Sequence, residues 1–205
     1  IKIIYHDLSN CQGEFPNHYL TWKSREIIKT QKDKYDIFIY LEDDILIKFN
    51  TIKYWIKFSK KTIENNYNLG FLRIEVKDNN EYITDLLTGQ KFKDKIIIEN
   101  QKYIINNINP YCAFWIYSKE ELNKFINTDF YDFKNPNQNL YYIRERSAIG
   151  LHGINFNYYK DTIIPIENNK LHEDCKIYHM PNNYVNDENS NFCKVKFDNC
   201  LNLKN

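Results

Sequence analysis

Three consecutive carboxylates, Glu42, Asp43 and Asp44, follow directly on an apolar run from Ile37 to Leu41, and apolar residues resume at Ile45. Like charges this close repel one another unless something neutralises them. Mg2+ or Mn2+ does so well, because hard cations prefer carboxylate oxygens and bridge to the phosphate oxygens of a substrate. The plainer reading is a solvated turn after a strand, which is what a bare pair of aspartates most often marks. The apolar lead-in favours chemistry, since ligands of open α/β sheets bind beyond the carboxyl ends of the strands. If extended geometry lasts through the triplet, Glu42 and Asp44 point to one side and Asp43 to the other.

The elements that would position this triplet follow from periodicity and caps. Residues 1–5 read as a short strand, and 18–31 as a helix with Leu20, Ile27 and Ile28 on one side. A strand over 35–44 ends in the triplet. A helix over 50–66 starts at an Asn50 or Thr51 cap and turns Ile52, Trp55, Ile56 and Ile63 inward. Residues 69–78 form a strand, and 79–89 and 95–108 read as short antiparallel strands with polar turns. A strand over 109–118 precedes a helix over 118–127, with Ser118 as N-cap and Glu121 three positions later. Residues 141–153 read as a helix ending at Gly150 or Gly153. Residues 163–166 form a brief strand, and from Leu171 onward the chain is loop-like apart from "CKIYHM".

Alternating strands and helices at the start point to a parallel α/β sheet, and consecutive strands in the middle to antiparallel additions, so a mixed sheet flanked by helices is expected. No internal repeat and no interdomain linker is visible, which makes residues 1–205 a single domain.

The composition bounds the function. The chain carries 28 basic and 27 acidic residues, a net charge of +1 that gives no support to nucleic-acid binding through a basic face. No apolar segment approaches the ~20 residues that span a bilayer, and no signal-peptide pattern opens the chain. The first residue is Ile1, the mark of an excised domain or a trimmed sequence. Five cysteines, Cys11, Cys112, Cys175, Cys193 and Cys200, contain no CxxC pair, and no N-x-[ST] sequon occurs among the many asparagines. These features point to a reducing, cytoplasmic setting, the host cytoplasm if the source is viral. The sequence leaves the oligomeric state open.

A strand ending in "EDD" resembles the DxD-type motif of glycosyltransferases with the GT-A fold. The ordered string "HYLTWKSRE" (18–26), "FIYLEDDI" (38–45), "GFLRIE" (70–75), "INPYCAFWI" (108–116), "YIRERSAIGL" (142–151) and "IYHMPNNY" (177–184) looks like that of one group of these enzymes, found in microbes and giant viruses. The resemblance implies a metal-dependent transfer of a sugar from a nucleotide-diphosphate sugar, UDP-linked by preference, to a hydroxyl of a glycan or protein acceptor. It implies that Asp44 binds Mn2+ or Mg2+, and that Glu42 and Asp43 contact ribose and donor-sugar hydroxyls. His179 would complete the metal shell, with His172 as the competing candidate.

Inverting transfer needs a base for the acceptor proton, and a positioned carboxylate is the common means. Glu145 is the candidate, flanked by Arg144 and Arg146, which would keep it ionised or clamp phosphate. Asp174 and Glu75 are alternatives, and the plain reading of the triplet is a solvated helix face. Lys23 or Arg25 could meet a phosphate, but a solvated helix face is the first assignment. Trp22, Trp55 and Trp115 are assigned to core, and Asn182, Asn183 and Tyr184 to a segment that folds over the donor. Only 41 residues precede Glu42, enough for about one strand and one helix. The strand and loop that cradle the nucleotide base in a GT-A domain are therefore missing or upstream. Two rivals stand beside this reading: a catalytically silent carbohydrate- or nucleotide-binding domain, and a nucleotidyltransferase, which also pairs carboxylates with Mg2+. The lack of a G-x-x-x-x-G-K-[ST] loop argues against a P-loop enzyme.

Overall fold

The computed structural model describes residues 20–131, 143–152 and 158–202, together with Tyr5. The elements in chain order are α1 (Leu20–Gln31), β1 (Ile37–Leu41), β2 (Ile45–Leu46), α2 (Phe49–Glu64), β3 (Asn68–Leu69), β4 (Leu72–Lys77), β5 (Asn80–Ile83), β6 (Lys95–Ile98), β7 (Gln101–Ile105), β8 (Phe114–Ser118), α3 (Lys119–Ile126), α4 (Ile143–Ala148), β9 (Thr162–Glu167), β10 (Lys170–Leu171), β11 (Lys176–His179), α5 (Asn183–Asn186) and β12 (Val195–Lys196). The result is a mixed α/β protein dominated by its sheets. Among the described residues no helix is long and apolar enough to cross a membrane. The strand expected over 1–5 falls, but for Tyr5, outside the described residues, as do His18, Cys11 and Gly153.

The chain divides into two compact units, Ile1–Leu41 with Phe114–Gly150, and Glu42–Ala113 with Leu151–Asn205. In the first, β1 pairs antiparallel with β8, with Tyr40 opposite Trp115. The strand–helix alternation at the start predicted a parallel neighbour. The partner was decided instead by the long apolar run that ends in β8, whose aromatics continue the stack: Tyr40 on Trp115 at 5.6 Å and Trp115 on Tyr117 at 4.7 Å. Helix α3 starts with the expected capping box, Glu121 N–H donating to Ser118 Oγ and Ser118 N–H to the Glu121 carboxylate. Helix α4 ends before Gly150, whose φ of +38° and whose contact with the Tyr117 hydroxyl leave no room for a Cβ.

Helix α1 turns Trp22 and Arg25 inward, whereas Leu20 is exposed and Ile27 and Ile28 are half-buried. Arg25 is a structural strut, not a solvated side chain. Its guanidinium donates to the carbonyls of Phe130, Tyr131, Arg146 and Ser147 at 2.7 to 3.1 Å and stacks on Trp22. Two of those carbonyls close the C-terminal turn of α4, where a cation is favoured.

The second unit holds two mixed sheets. In one, β7 is flanked by β6 and β9, and β9 pairs on its other edge with β3, parallel, and with β10, antiparallel. In the other, the order is β12-β5-β4-β11-β2, with β4 and β11 parallel and the remaining pairs antiparallel. Helix α2 buries Thr51, Tyr54, Trp55, Phe58, Ser59 and Thr62, a stripe at helical spacing. Ile56, expected inward, is exposed. Three of the buried hydroxyls are satisfied: Thr51 donates to Lys176 O, Thr62 to Ser59 O, and Tyr54 to Gly70 O. Gly70 is required there, since a Cβ would stand 2.7 Å from Thr162 Cγ2 and 2.8 Å from Ile164 Cγ1.

Candidate functional site

The triplet is a turn. Extended backbone ends at Leu41, and Ile45 N–H donates to Glu42 O at 3.1 Å, closing a four-residue reversal. The alternation expected for Glu42 and Asp44 is lost with the extended geometry. The turn leaves Asp43 exposed and Glu42 and Asp44 half-buried. It also sends Ile45 and Leu46 back along β11, where Ile45 lies opposite His179, and Met180 N–H donates to Asp44 O at 2.9 Å. Asp44 and His179, separated by more than half the chain, thus meet: His179 Nε2 stands 3.2 Å from Asp44 Oδ2.

The other ring nitrogen is held from β4. Leu72 and Ile74 face one side of that strand, while Arg73 and Glu75 face the other. Glu75 is completely buried and takes His179 Nδ1 at 2.6 Å, Val185 N–H at 2.6 Å and the Cys193 thiol at 3.6 Å. Burial alone would raise its pKa, but the bonds from the His179 ring and from the Val185 and Tyr184 backbone hold it below the ordinary carboxylate value. An ionised carboxylate only accepts, so the proton sits on Nδ1 and the Nε2 position faces Asp44. Two arrangements satisfy that geometry. With a proton on Nε2 the ring is an imidazolium between two carboxylates. With Nε2 bare, two acceptors face each other unless a proton on Asp44 or a cation lies between them.

The second arrangement fits a divalent ion. Ligands at right angles, each about 2.1 Å from a metal, are about 3 Å apart, close to the Asp44–His179 separation. Asp44 Oδ1 is buried and takes no partner among the described residues. A carboxylate behind a ligating histidine is the standard outer-shell arrangement. The mixed donor set suits Mn2+ better than Mg2+, which prefers oxygen alone. Among the described residues no group of three or more His, Cys, Asp or Glu side chains forms a ligand set. Two protein ligands are what such a cation takes when phosphate and water complete its shell.

Arg73, beside Glu75, is buried against Asp85 in a two-point pair of 3.1 and 2.6 Å. Burial would lower the Arg73 pKa, but the Asp85 charge and hydrogen bonds raise it above its ordinary value, so the guanidinium is permanently charged. His172, the competing ligand, is committed elsewhere. Its Nδ1 accepts Asp174 N–H at 3.2 Å, and its ring packs on Tyr54 and Phe58. Asn182 does not hang free over the site: its side-chain oxygen accepts Val76 N–H at 2.9 Å, and the Tyr184 ring lies 5.7 Å from His179.

Glu145 and Arg146 belong to the other unit and are half-buried on α4; the Arg144 side chain lies outside the described residues. Glu145 Oε2 is buried and takes no partner among the described residues, an uncommitted carboxylate oxygen of the kind a base requires. Sequence reasoning placed Glu75 only as an alternative base and did not single out Arg73 or Asp85. The signal for Arg73 and Glu75 is in "LRIEVK", where charges recur at period two inside an otherwise apolar strand. Comparison with protein-family models, with curated proteins and with solved structures finds no match for this chain.

Proposed function

We propose that this chain is a metal-dependent glycosyltransferase with a GT-A-like fold, moving a sugar from a nucleotide-diphosphate sugar, UDP-linked by preference, to a hydroxyl of a glycan or protein. The observation that carries the reading is the meeting of Asp44 and His179 at 3.2 Å with Glu75 closing the ring from behind. Asp44 and His179 would hold Mn2+ or Mg2+, whose contribution when bound is charge stabilisation of the departing diphosphate. Glu75 sets the tautomer and orientation of His179. Glu42 and Asp43 contact ribose and donor-sugar hydroxyls. On the strength of the sequence resemblance alone, Glu145 would take the acceptor proton in an inverting transfer, and Arg144 and Arg146 would hold phosphate.

Calorimetry with UDP and Mn2+ on the wild type and Asp44→Ala tests this. UDP binding that needs Mn2+ and is lost in the variant supports the reading. Binding indifferent to both metal and substitution refutes the metal role. Donor hydrolysis or transfer then separates the enzyme from a silent binding domain of the same fold.

A further inference from the structure

Arg73 is 8% exposed and rigidly held. Asp85 occupies Nε and Nη2, at 3.1 and 2.6 Å. The third nitrogen, Nη1, takes no hydrogen bond among the described residues, where Asp85 holds only Nε and Nη2. Tyr111 and Tyr184 flank the group, their ring centres 5.2 and 6.0 Å from the guanidinium carbon. The Tyr184 ring also stands 5.7 Å from the His179 ring. One aromatic side chain therefore lies against both the guanidinium and the imidazole that faces Asp44. Arg73 and Glu75 share a face of β4, so the same strand fixes this guanidinium and the support of His179.

A guanidinium locked along one edge by a carboxylate has already lost its rotamer freedom. Its remaining edge presents N–H donors at little further entropic cost. That edge suits oxygen anions, above all phosphate, whose oxygens accept charge-assisted hydrogen bonds. Asp85 cancels the charge of Arg73, so the edge supplies directed donors more than net attraction. An anion settles there only if a cation offsets the surrounding carboxylates. We propose that Arg73 is a phosphate-binding arm of the Asp44–His179 site, its Nη1 edge donating to a diphosphate oxygen of the ligand. This rests on the reading that Asp44 and His179 hold a divalent cation.

The test titrates Mn2+ alone, and then UDP in the presence of Mn2+, into the wild type and the Arg73→Met/Asp85→Leu double variant. The double variant removes the guanidinium without leaving Asp85 as an unpaired buried charge. The expected result is a loss of UDP affinity of roughly 10- to 100-fold, the effect of a hydrogen bond to a charged group. Mn2+ affinity should stay within about twofold. Unchanged UDP affinity overturns the proposal and leaves the metal reading intact. A wild type that binds Mn2+ but not UDP also overturns it. A wild type that binds UDP without Mn2+ sinks the metal reading instead, and with it the premise of this inference. If the double variant fails to fold, the same titration on Arg73→Lys, which keeps the charge and a partner for Asp85, decides between these outcomes.

Discussion

Replacing Glu75 with Gln changes one oxygen into an amide nitrogen at the centre of the site. The carboxylate accepts from His179 Nδ1 and from Val185 N–H, both at 2.6 Å. Glutamine has one acceptor oxygen and cannot serve both, so its NH2 must confront one of these donors. An orphaned buried donor costs about 1–3 kcal/mol. For a chain of this size that lowers Tm by roughly 2 to 12 °C, at about 2–4 °C per kcal/mol. If the amide turns its nitrogen toward His179, Nδ1 loses its proton to Nε2 and the ring no longer offers a lone pair toward Asp44. Even in the other orientation the ring loses a charged support. Loss of an outer-shell carboxylate lowers metal affinity about 10- to 100-fold. Mn2+ titration followed by electron paramagnetic resonance, beside a thermal melt, reads both effects. A Glu75→Gln variant that melts lower yet binds Mn2+ within about twofold of the wild type would refute the argument, because Glu75 would then brace the fold without orienting His179.

Glu145→Gln should abolish sugar transfer while UDP binding in Mn2+ is retained; loss of UDP binding instead reassigns Glu145 to the donor site. Burial pushes the His152 imidazole down to about 4, from 6.5. The folded state therefore resists a proton that the unfolded chain accepts, and stability falls as pH drops from about 6.5 toward 4, by up to roughly 3 kcal/mol. Urea midpoints across that range should show a shallower decline in His152→Leu than in the wild type, and an identical decline would remove His152 as the cause.

The individual elements were legible because local signals and tertiary demand agreed. Ser118 and Glu121 announce a capping box, and the apolar runs at 37–41 and 114–118 become β1 and β8. Faces were less legible. Ile56 outranks Thr51, Ser59 and Thr62 on any hydrophobic scale, yet those hydroxyl residues lie inward while Ile56 is exposed. Arg25 reads as a solvent residue until its four carbonyl partners are known, and they lie 105 to 122 positions away. The site shows the same division. Asp44 and His179 each stand out as a residue type, but their meeting depends on the register of β2 against β11, which no local pattern encodes. Glu75 was read only as an alternative base, because its place behind His179 shows only once three donors are found around it.

The sheet carries two polar clusters, and their charge balance separates structure from site. Paired residues share a face, so Lys176 and Tyr178 lie with Leu72 and Ile74, opposite to Arg73, Glu75 and His179. Around the first group Lys176 meets Glu81 at 2.5 Å and also Glu173, while Lys48 donates to Tyr178, which donates to Glu81. Two lysines against two glutamates leave no net charge, and every member has a partner. Such a cluster is a finished structural network. Around the second group Asp44, Glu75 and Asp85 face one permanent cation, Arg73. With a neutral His179 that leaves two uncompensated negative charges. A proton on the ring removes one of them, and a divalent cation removes both while meeting Asp44 Oδ1, which otherwise has no partner among the described residues. The deficit is concentrated where β2 and β11 bring the acidic turn against the histidine. A fold that only needed to brace this sheet would balance both clusters alike, and the unequal balance is the physical reason to look for a divalent cation at Asp44 and His179 rather than at Glu81 and Glu173.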